Sequence, residues 1–366
     1  MRLFVDCRYV RARVHDGISR YTASLVQAAA EKADVTMLIH DEQQLGMLPD
    51  LPAVKISSPT SALEPFVAQQ INPHQPDVVF SPMQTMGSVG RRYRLILTLH
   101  DLIYYEHRTP PRDLPAPVRL GWRLYHLSYT PQRMTLNRAD AVATISETTR
   151  GLMEKHRLTR RPLHLIPNAA QPVEQPRDPA VPPARELVYM GSFMEYKNVE
   201  AVIAGLNRLP EYRLHLCSPI SPARRAQLVA LAERPGQLIF HNGISEQDYT
   251  ALLQQITALV TLSRAEGYGL PVVEAMSHGT PVVVSDLPIF REVTGVGNNV
   301  SQDDLAAGAQ CVDADDDDAF ATAVRRLEDP AAFHAASVQA RTRSKAYSWE
   351  DSADRLVTLA QSLIEH

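Results

Sequence analysis

Two glutamates eight positions apart, Glu266 and Glu274, stand in the stretch R-A-E-G-Y-G-L-P-V-V-E-A-M-S-H-G-T, residues 264–280. An apolar run at 258–262 leads into it and another at 281–284 leads out. That pattern predicts a buried strand, a Gly-rich turn, a helix and a second buried strand. Gly267 and Gly269 bracket Tyr268 and let the backbone bend close to a ligand. Leu270 and Pro271 open the helix, where the missing N–H of proline is not needed. Glu274 then falls about one turn in, so both carboxylates can face one crevice at the carboxyl end of the strand. Open α/β sheets bind ligands there, and the N–H groups at a helix start favour phosphate. The plain alternative is a turn cap at Glu266 and a solvated helix residue at Glu274.

Other residues fall in comparable places. His100 and Asp101 end the apolar run 94–99, and an imidazole at a strand end can donate to a hydroxyl or move a proton near neutral pH. Gly17 precedes a helical pattern at 19–30 and follows the first apolar run, 3–6. Gly191 closes the run 186–190, followed by Ser192 and then by Lys197 just before a helix predicted from about residue 198. A lysine gains nothing from a helix N-terminus, so an anion between the two is implied. Arg264, two residues before Glu266, is a second candidate cation.

The string E-G-Y-G-L-P-V-V-E-A-M resembles the E-x(7)-E motif of the retaining glycosyltransferases of family 4. G-I-S-R-Y-T resembles that family's G-I-G-R-Y, with Ser19 at the second glycine, and T-L-H-D-L-I resembles its T-x-H-D. T-I-S-E and L-I-P-N resemble the end of its first domain, and S-W-E-D-S-A resembles its final helix. H-N-G-I-S-E, residues 241–246, resembles a segment lining the base pocket. G-S-F-M-E-Y-K-N departs from the family's G-R-x-x-x-x-K-N. Lys197 matches, but Ser192 stands where an arginine usually binds the leaving diphosphate. Arg264 is a candidate substitute, and whether it fills that place is left open by the sequence.

The resemblance implies an α/β fold of the GT-B kind, two facing doubly wound Rossmann-like domains with an inter-domain cleft. The expected division is an acceptor-binding domain at 1–172, a Pro-rich linker at 173–185, a nucleotide-sugar domain at 186–345, and a helix at 346–366 crossing back to the first domain. A hinge is expected near residues 171–185. By resemblance, His100, Lys197 and Glu266 carry catalysis. Gly17, Gly191, Ser192, Lys197, Arg264, Glu266, Gly267, Tyr268, Gly269, Leu270 and Glu274 hold the donor. Glu266 takes sugar hydroxyls, Glu274 the ribose, and Lys197 the diphosphate. The implied reaction is metal-independent hexose transfer with retention, mannose from GDP-mannose first, to a glycan or lipid-linked acceptor in bacterial surface polysaccharide synthesis. No cofactor beyond the nucleotide sugar is expected. A silent sugar-nucleotide binding module and an epimerase on the same fold remain open alternatives.

Composition sets outer limits. The 366 residues suit two domains, with 45% hydrophobic and 21% charged residues. No apolar run of membrane-spanning length occurs, and the start turns polar too soon for a signal peptide. Cys7, Cys217 and Cys311 lack metal-ligand spacing and fit a reducing cytoplasm. The charge is uneven: residues 1–172 hold 21 Lys and Arg against 15 Asp and Glu. A basic half fits contact with an anionic acceptor or the inner face of the plasma membrane, and equally a solvated face. No nucleic-acid motif accompanies it. Residues 118–139 predict a helix interrupted at Pro131, with Arg, Trp, Tyr and His interleaved, after a Pro-rich loop at 110–117; an ordinary amphipathic helix and an acceptor- or membrane-contact element both fit it. The acidic run 315–318 predicts a helix start.

Overall fold

A computed structural model describes residues 1–13, 15–109, 116–297 and 308–365. The chain divides into two compact units, Met1–Ala169 with Tyr347–His366, and Ala170–Ala346.

The first unit runs β1 (Arg2–Asp6), α1 (Gly17–Ala30), β2 (Asp34–Ile39), β3 (Ala53–Lys55), α2 (Ala68–Ile71), β4 (Val78–Ser81) and β5 (Arg94–Leu99). It continues with α3 (Ile103–Glu106), α4 (Ala116–Tyr125), α5 (Thr130–Leu136), β6 (Ala141–Thr144), α6 (Glu147–Lys155) and β7 (Leu163–Leu165). The sheet order is β3-β2-β1-β4-β5-β6-β7, all pairs parallel. β4 and β6 are buried at every residue. That is why they read as unbroken apolar runs: a parallel strand is covered on both faces.

The second unit runs β8 (Ala184–Tyr189), α7 (Val199–Asn207), β9 (Arg213–Leu216), α8 (Pro222–Leu231), β10 (Leu238–Phe240), α9 (Glu246–Leu253) and β11 (Ile256–Thr261). It continues with α10 (Leu270–Ser277), β12 (Val282–Ser285), α11 (Pro288–Thr294), β13 (Ala309–Val312), α12 (Asp317–Arg326) and α13 (Pro330–Ser344). Its sheet order is β10-β9-β8-β11-β12-β13, again parallel. Both sheets reverse winding beside their first strand, at β1/β4 and at β8/β11. Such switch points leave a crevice at the carboxyl ends. α14 (Trp349–Glu365) belongs to the first unit and buries Trp349, Ala353, Leu356 and Ala360 on one stripe. The Trp349 ring lies edge-on to Tyr21 of α1, 5.9 Å between centroids.

One sequence expectation is corrected. The helix break at Pro131 falls earlier, between Tyr125 and Thr130, and Pro131 instead starts α5 in its first turn. There its ring clashes with nothing and its lost N–H costs no bond. The Pro-rich segment 173–185, expected as the linker, packs on the second unit through Arg177. Arg177 within it is 6% exposed, donates from Nη1 to the Ile256 carbonyl at 2.7 Å, and lies over the Phe333 ring at 4.4 Å. Its own N–H donates to the His278 carbonyl. Of the Pro-rich loop expected at 110–117, residues 110–115 lie outside the described residues, and Pro117 falls in the first turn of α4.

The carboxyl end of β1 is set by a buried ion cluster. Arg8, 1% exposed, donates from Nε to Asp6 at 2.8 Å and from Nη1 to Glu64 at 2.6 Å. Ser81 Oγ at the end of β4 donates to Asp6, and the Gly87 N–H donates to Glu64. Burial raises the Glu64 pKa above the usual carboxylate value, although Arg8 opposes the shift. Removing Arg8 leaves both carboxylates without their cation. We expect Arg8→Ala to cost about 3–5 kcal/mol, read as a lowered urea midpoint. A loss below about 1 kcal/mol contradicts this.

Candidate functional site

The crevice of the second unit lies where β8 and β11 pair side by side. The turn after β8 and the turn after β11 are tied together three times. Lys197 Nζ donates to Glu266 Oε2 at 2.5 Å, with both side chains about 15% exposed. Asn198 Nδ2 donates to the Leu262 carbonyl at 3.0 Å. The Arg264 N–H donates to the Tyr196 carbonyl at 2.8 Å. Asn198 takes a left-handed φ of 49° as the residue before α7, a conformation Asn tolerates better than most side chains. The two predicted site residues Lys197 and Glu266, 69 positions apart, thus meet directly.

Local geometry explains the glycines. Gly269 precedes α10 with φ 87°, and a Cβ there would meet the Phe290 ring at 2.7 Å. Gly267 lies in the bend before it, and Tyr268 between them is 4% exposed. Leu270 and Pro271 form the first turn of α10, as expected, and Glu274 is its fifth residue, half-buried. At Gly191 it is close approach that disfavours a side chain: a Cβ would lie 3.0 Å from Tyr189 Oη, which would have to give way by a few tenths of an ångström. Tyr189 Oη donates to the Ser192 carbonyl at 2.7 Å, and Ser192 itself is exposed.

Arg264, the candidate for the cation missing at Ser192, is engaged by an acidic partner. Its Nη1 and Nη2 grip both oxygens of Asp315, at 2.9 and 2.5 Å. This pairing raises the guanidinium pKa and holds the Asp315 carboxyl below its usual range. Asp315 comes from the acidic run whose next member, Asp316, caps α12 by accepting from the Ala319 N–H. The run therefore starts a helix, as expected, and its first residue also occupies Arg264. Among the described residues no cluster of three or more His, Cys, Asp or Glu is arranged to hold a metal. In the segment 241–246, His241 Nε2 lies 2.9 Å from His215 Nδ1, and His215 Nε2 lies 3.3 Å from Glu186.

In the first unit, Gly17 is the first residue of α1, capped by Asp16, which accepts from the Ser19 N–H. Ser19 is buried, and its hydroxyl accepts from the Arg11 N–H and bonds His15 Nδ1 at 2.7 Å. The hydroxyl at this glycine position therefore pins the β1–α1 loop to the helix. His100 follows β5, and its Nε2 lies 2.7 Å from the Pro82 carbonyl. A carbonyl only accepts, so Nε2 carries the proton and Nδ1 is the acceptor. With Nε2 committed to the Pro82 carbonyl, the ring offers Nδ1 as an acceptor rather than the donor the sequence reading allowed. Burial pushes its pKa down to about 4 against the opposing pull of the Pro82 carbonyl, so it is neutral at pH 7.

Sequence reasoning missed three positioning residues: Asn198, Asp315 and Arg8. The K-N pair before a helix was a readable signal for the first. For Arg264–Asp315 the partners are 51 positions apart and no local pattern links them.

The sequence matches the family described as Glycosyltransferase Family 4 over residues 15–172 and the family Glycosyl transferases group 1 over residues 174–348. It is 30% identical over 243 residues to the GDP-mannose:cellobiosyl-diphosphopolyprenol alpha-mannosyltransferase of Xanthomonas campestris, covering 60% of this chain and 64% of that protein. It is 34% identical to the O-antigen chain mannosyltransferase RfbU of Salmonella typhimurium, over 28% of this chain and 26% of that protein. In each case the match spans less than two thirds of the curated relative. Among solved structures, the sucrose-phosphate synthase from Thermosynechococcus elongatus superposes with a TM-score of 0.75 at 20% identity, over 100% of this chain and 99% of that one.

The depressed His100 pKa has a stability consequence. The unfolded chain takes up this proton near pH 6.5 and the folded chain only near pH 4. The contribution is therefore complete above pH 6.5 and lost as pH falls toward 4. Between pH 7 and 4.5 the wild type is expected to lose about 2–3 kcal/mol more than His100→Gln, read from urea curves at each pH. Parallel pH profiles for the two proteins contradict it.

Proposed function

Because this chain belongs to the family 4 glycosyltransferases of GT-B type, we propose that it transfers a hexose, with retention, from a nucleoside diphosphate sugar to a hydroxyl. The observation that carries the reading is the Lys197–Glu266 pair across the β8/β11 switch point, beside the N-terminus of α10. The difficult step is departure of the diphosphate from an oxocarbenium-like carbon. Lys197 and the α10 N–H groups are the positive groups offered to that charge. Glu266 accepts from hydroxyls of the sugar, and Glu274 from the ribose. Donor binding then exchanges partners: Lys197 turns from Glu266 to phosphate oxygens, while Glu266 turns to the sugar. Neither partly buried charge is left uncompensated, which would be costly. His100, neutral, offers Nδ1 to a hydroxyl. No metal is invoked, because fixed cationic groups take its place.

Mannose on GDP is the proposed donor. The support is that the Xanthomonas relative is a GDP-mannose-dependent alpha-mannosyltransferase and the Salmonella one an O-antigen chain mannosyltransferase. The proposed acceptor is a lipid-linked glycan of bacterial surface polysaccharide synthesis, met at the cytoplasmic face of the plasma membrane. A second reading, a sugar-nucleotide binder without turnover, is favoured by Ser192 and by the engagement of Arg264 with Asp315. Release of nucleoside diphosphate in the presence of acceptor separates the two.

Lys197→Ala is expected to cut turnover about 10²–10³-fold with a much smaller change in nucleotide affinity. Glu274→Ala should do the reverse. Equal loss of both quantities in Lys197→Ala removes it from the leaving-group role. GDP at 100 times its dissociation constant should stabilise the protein by about 2.7 kcal/mol, with UDP and dTDP at the same concentration giving less. A larger effect of UDP or dTDP overturns the donor assignment. Turnover should survive a chelator, and its abolition contradicts the metal-free account.

A further inference from the structure

We propose that α4 is a membrane-docking element, resting its outer face on a bilayer of anionic lipid. The helix has two apolar faces. Trp122 and His126 point inward and pack on an aromatic cluster. The ring centroids are 4.1 Å apart for Trp122–His126, 5.1 Å for Tyr104–Trp122 and 5.0 Å for Tyr105–His126. About 200° round the helix from those positions stand Leu120 and Leu124, with Leu127 in the turn that follows. They are 60%, 59% and 60% exposed. The inward face already satisfies the fold, so the outer leucines do nothing for the core. Of the thirteen large apolar side chains exposed among the described residues, five fall between Val118 and Met134. A cluster of that kind, on a helix held by tilted and edge-on ring contacts, marks an interaction surface.

Charge selects the occupant. Residues 116–138 contain four arginines, Arg119, Arg123, Arg133 and Arg138, and no Asp or Glu. Among the described residues none of the four makes an ion pair with a carboxylate. Arg133 donates instead to the carbonyls of His156 and Arg157. This arginine-rich, acid-free segment sits on a chain of net charge −4, and Arg123 on α4 and Arg138 after α5 are exposed. A second copy of the chain meeting it about a two-fold axis would bring arginines against arginines. Anionic headgroups pair with them, while the leucines enter the acyl boundary. That is how short basic amphipathic helices bind interfaces. Among the described residues no helix is long and apolar enough to cross a membrane, so the contact lies in the surface plane.

The test is sedimentation of the full chain, without donor or acceptor, with phosphatidylcholine vesicles and with vesicles also containing phosphatidylglycerol. A chain that binds vesicles but shows no turnover leaves this inference standing, so the two proposals fail separately. Wild type should sediment with the anionic vesicles at least tenfold more strongly than with neutral ones, and high salt should weaken it. The combined change L120S, L124S and L127S should reduce that binding at least tenfold, with an unchanged melting temperature because the side chains stand in solvent. An independent readout is a polarity-sensitive dye on L124C, selective because Cys7, Cys217 and Cys311 are buried. Its emission should shift to the blue with anionic vesicles. Equal sedimentation of wild type and the serine variant overturns the proposal. So does an unshifted dye, and so does a concentration-dependent dimer or a captured acidic protein that the same serines abolish without any vesicle binding.

Discussion

One ion pair organises the second unit: Lys197 on the turn after β8 and Glu266 on the turn after β11. The two strands are neighbours only because the sheet reverses its winding there. At any other strand pair, a helix packed over the gap would separate the turns. Opposite charges held about 85% out of solvent attract more strongly than they would at the surface, but each has lost hydration. Such a pair is stable enough to set the spacing of the two turns. It is also open to an anionic ligand that offers Lys197 a phosphate and Glu266 a set of hydroxyls. The Asn198–Leu262 and Arg264–Tyr196 bonds keep the turns in register while that exchange takes place.

The first unit repeats the plan with different chemistry. At its own reversal, between β1 and β4, the connection is Asp6 to Ser81, with Arg8 and Glu64 closing the charge balance behind it. His100, one strand further on, is held to the Pro82 carbonyl in its neutral form. One crevice thus presents a cation and an anion that can trade partners. The other presents a fixed, uncharged acceptor nitrogen. The difference follows from burial: His100 is too desolvated to carry charge at pH 7, whereas Lys197 has Glu266 beside it.

Much of this was legible in the residues. Strands buried on both faces announce themselves as apolar runs, and helix starts by Ser146, Asp316 and Pro271 follow from cap chemistry that is local. The glycine turn and the start of α10 between Glu266 and Glu274 fall where the sequence puts them. What could not be read were partners chosen by tertiary packing. Arg264 looked like a spare cation until Asp315, 51 residues away, closed on it. Nothing local in the proline-dense segment shows that Arg177 finds the Ile256 carbonyl and the Phe333 ring. Pro131 looked like a break because proline ends and starts helices alike, and only its position in the turn tells which.

The central claim is that the Lys197–Glu266 contact is the seat of the donor diphosphate and sugar. A crystal structure of the protein with a bound nucleoside diphosphate sugar tests it most directly. The account predicts phosphate oxygens within ion-pair reach of Lys197 Nζ, with Glu266 released from the lysine and facing sugar hydroxyls. A donor bound elsewhere, with the 2.5 Å contact still closed, would contradict it.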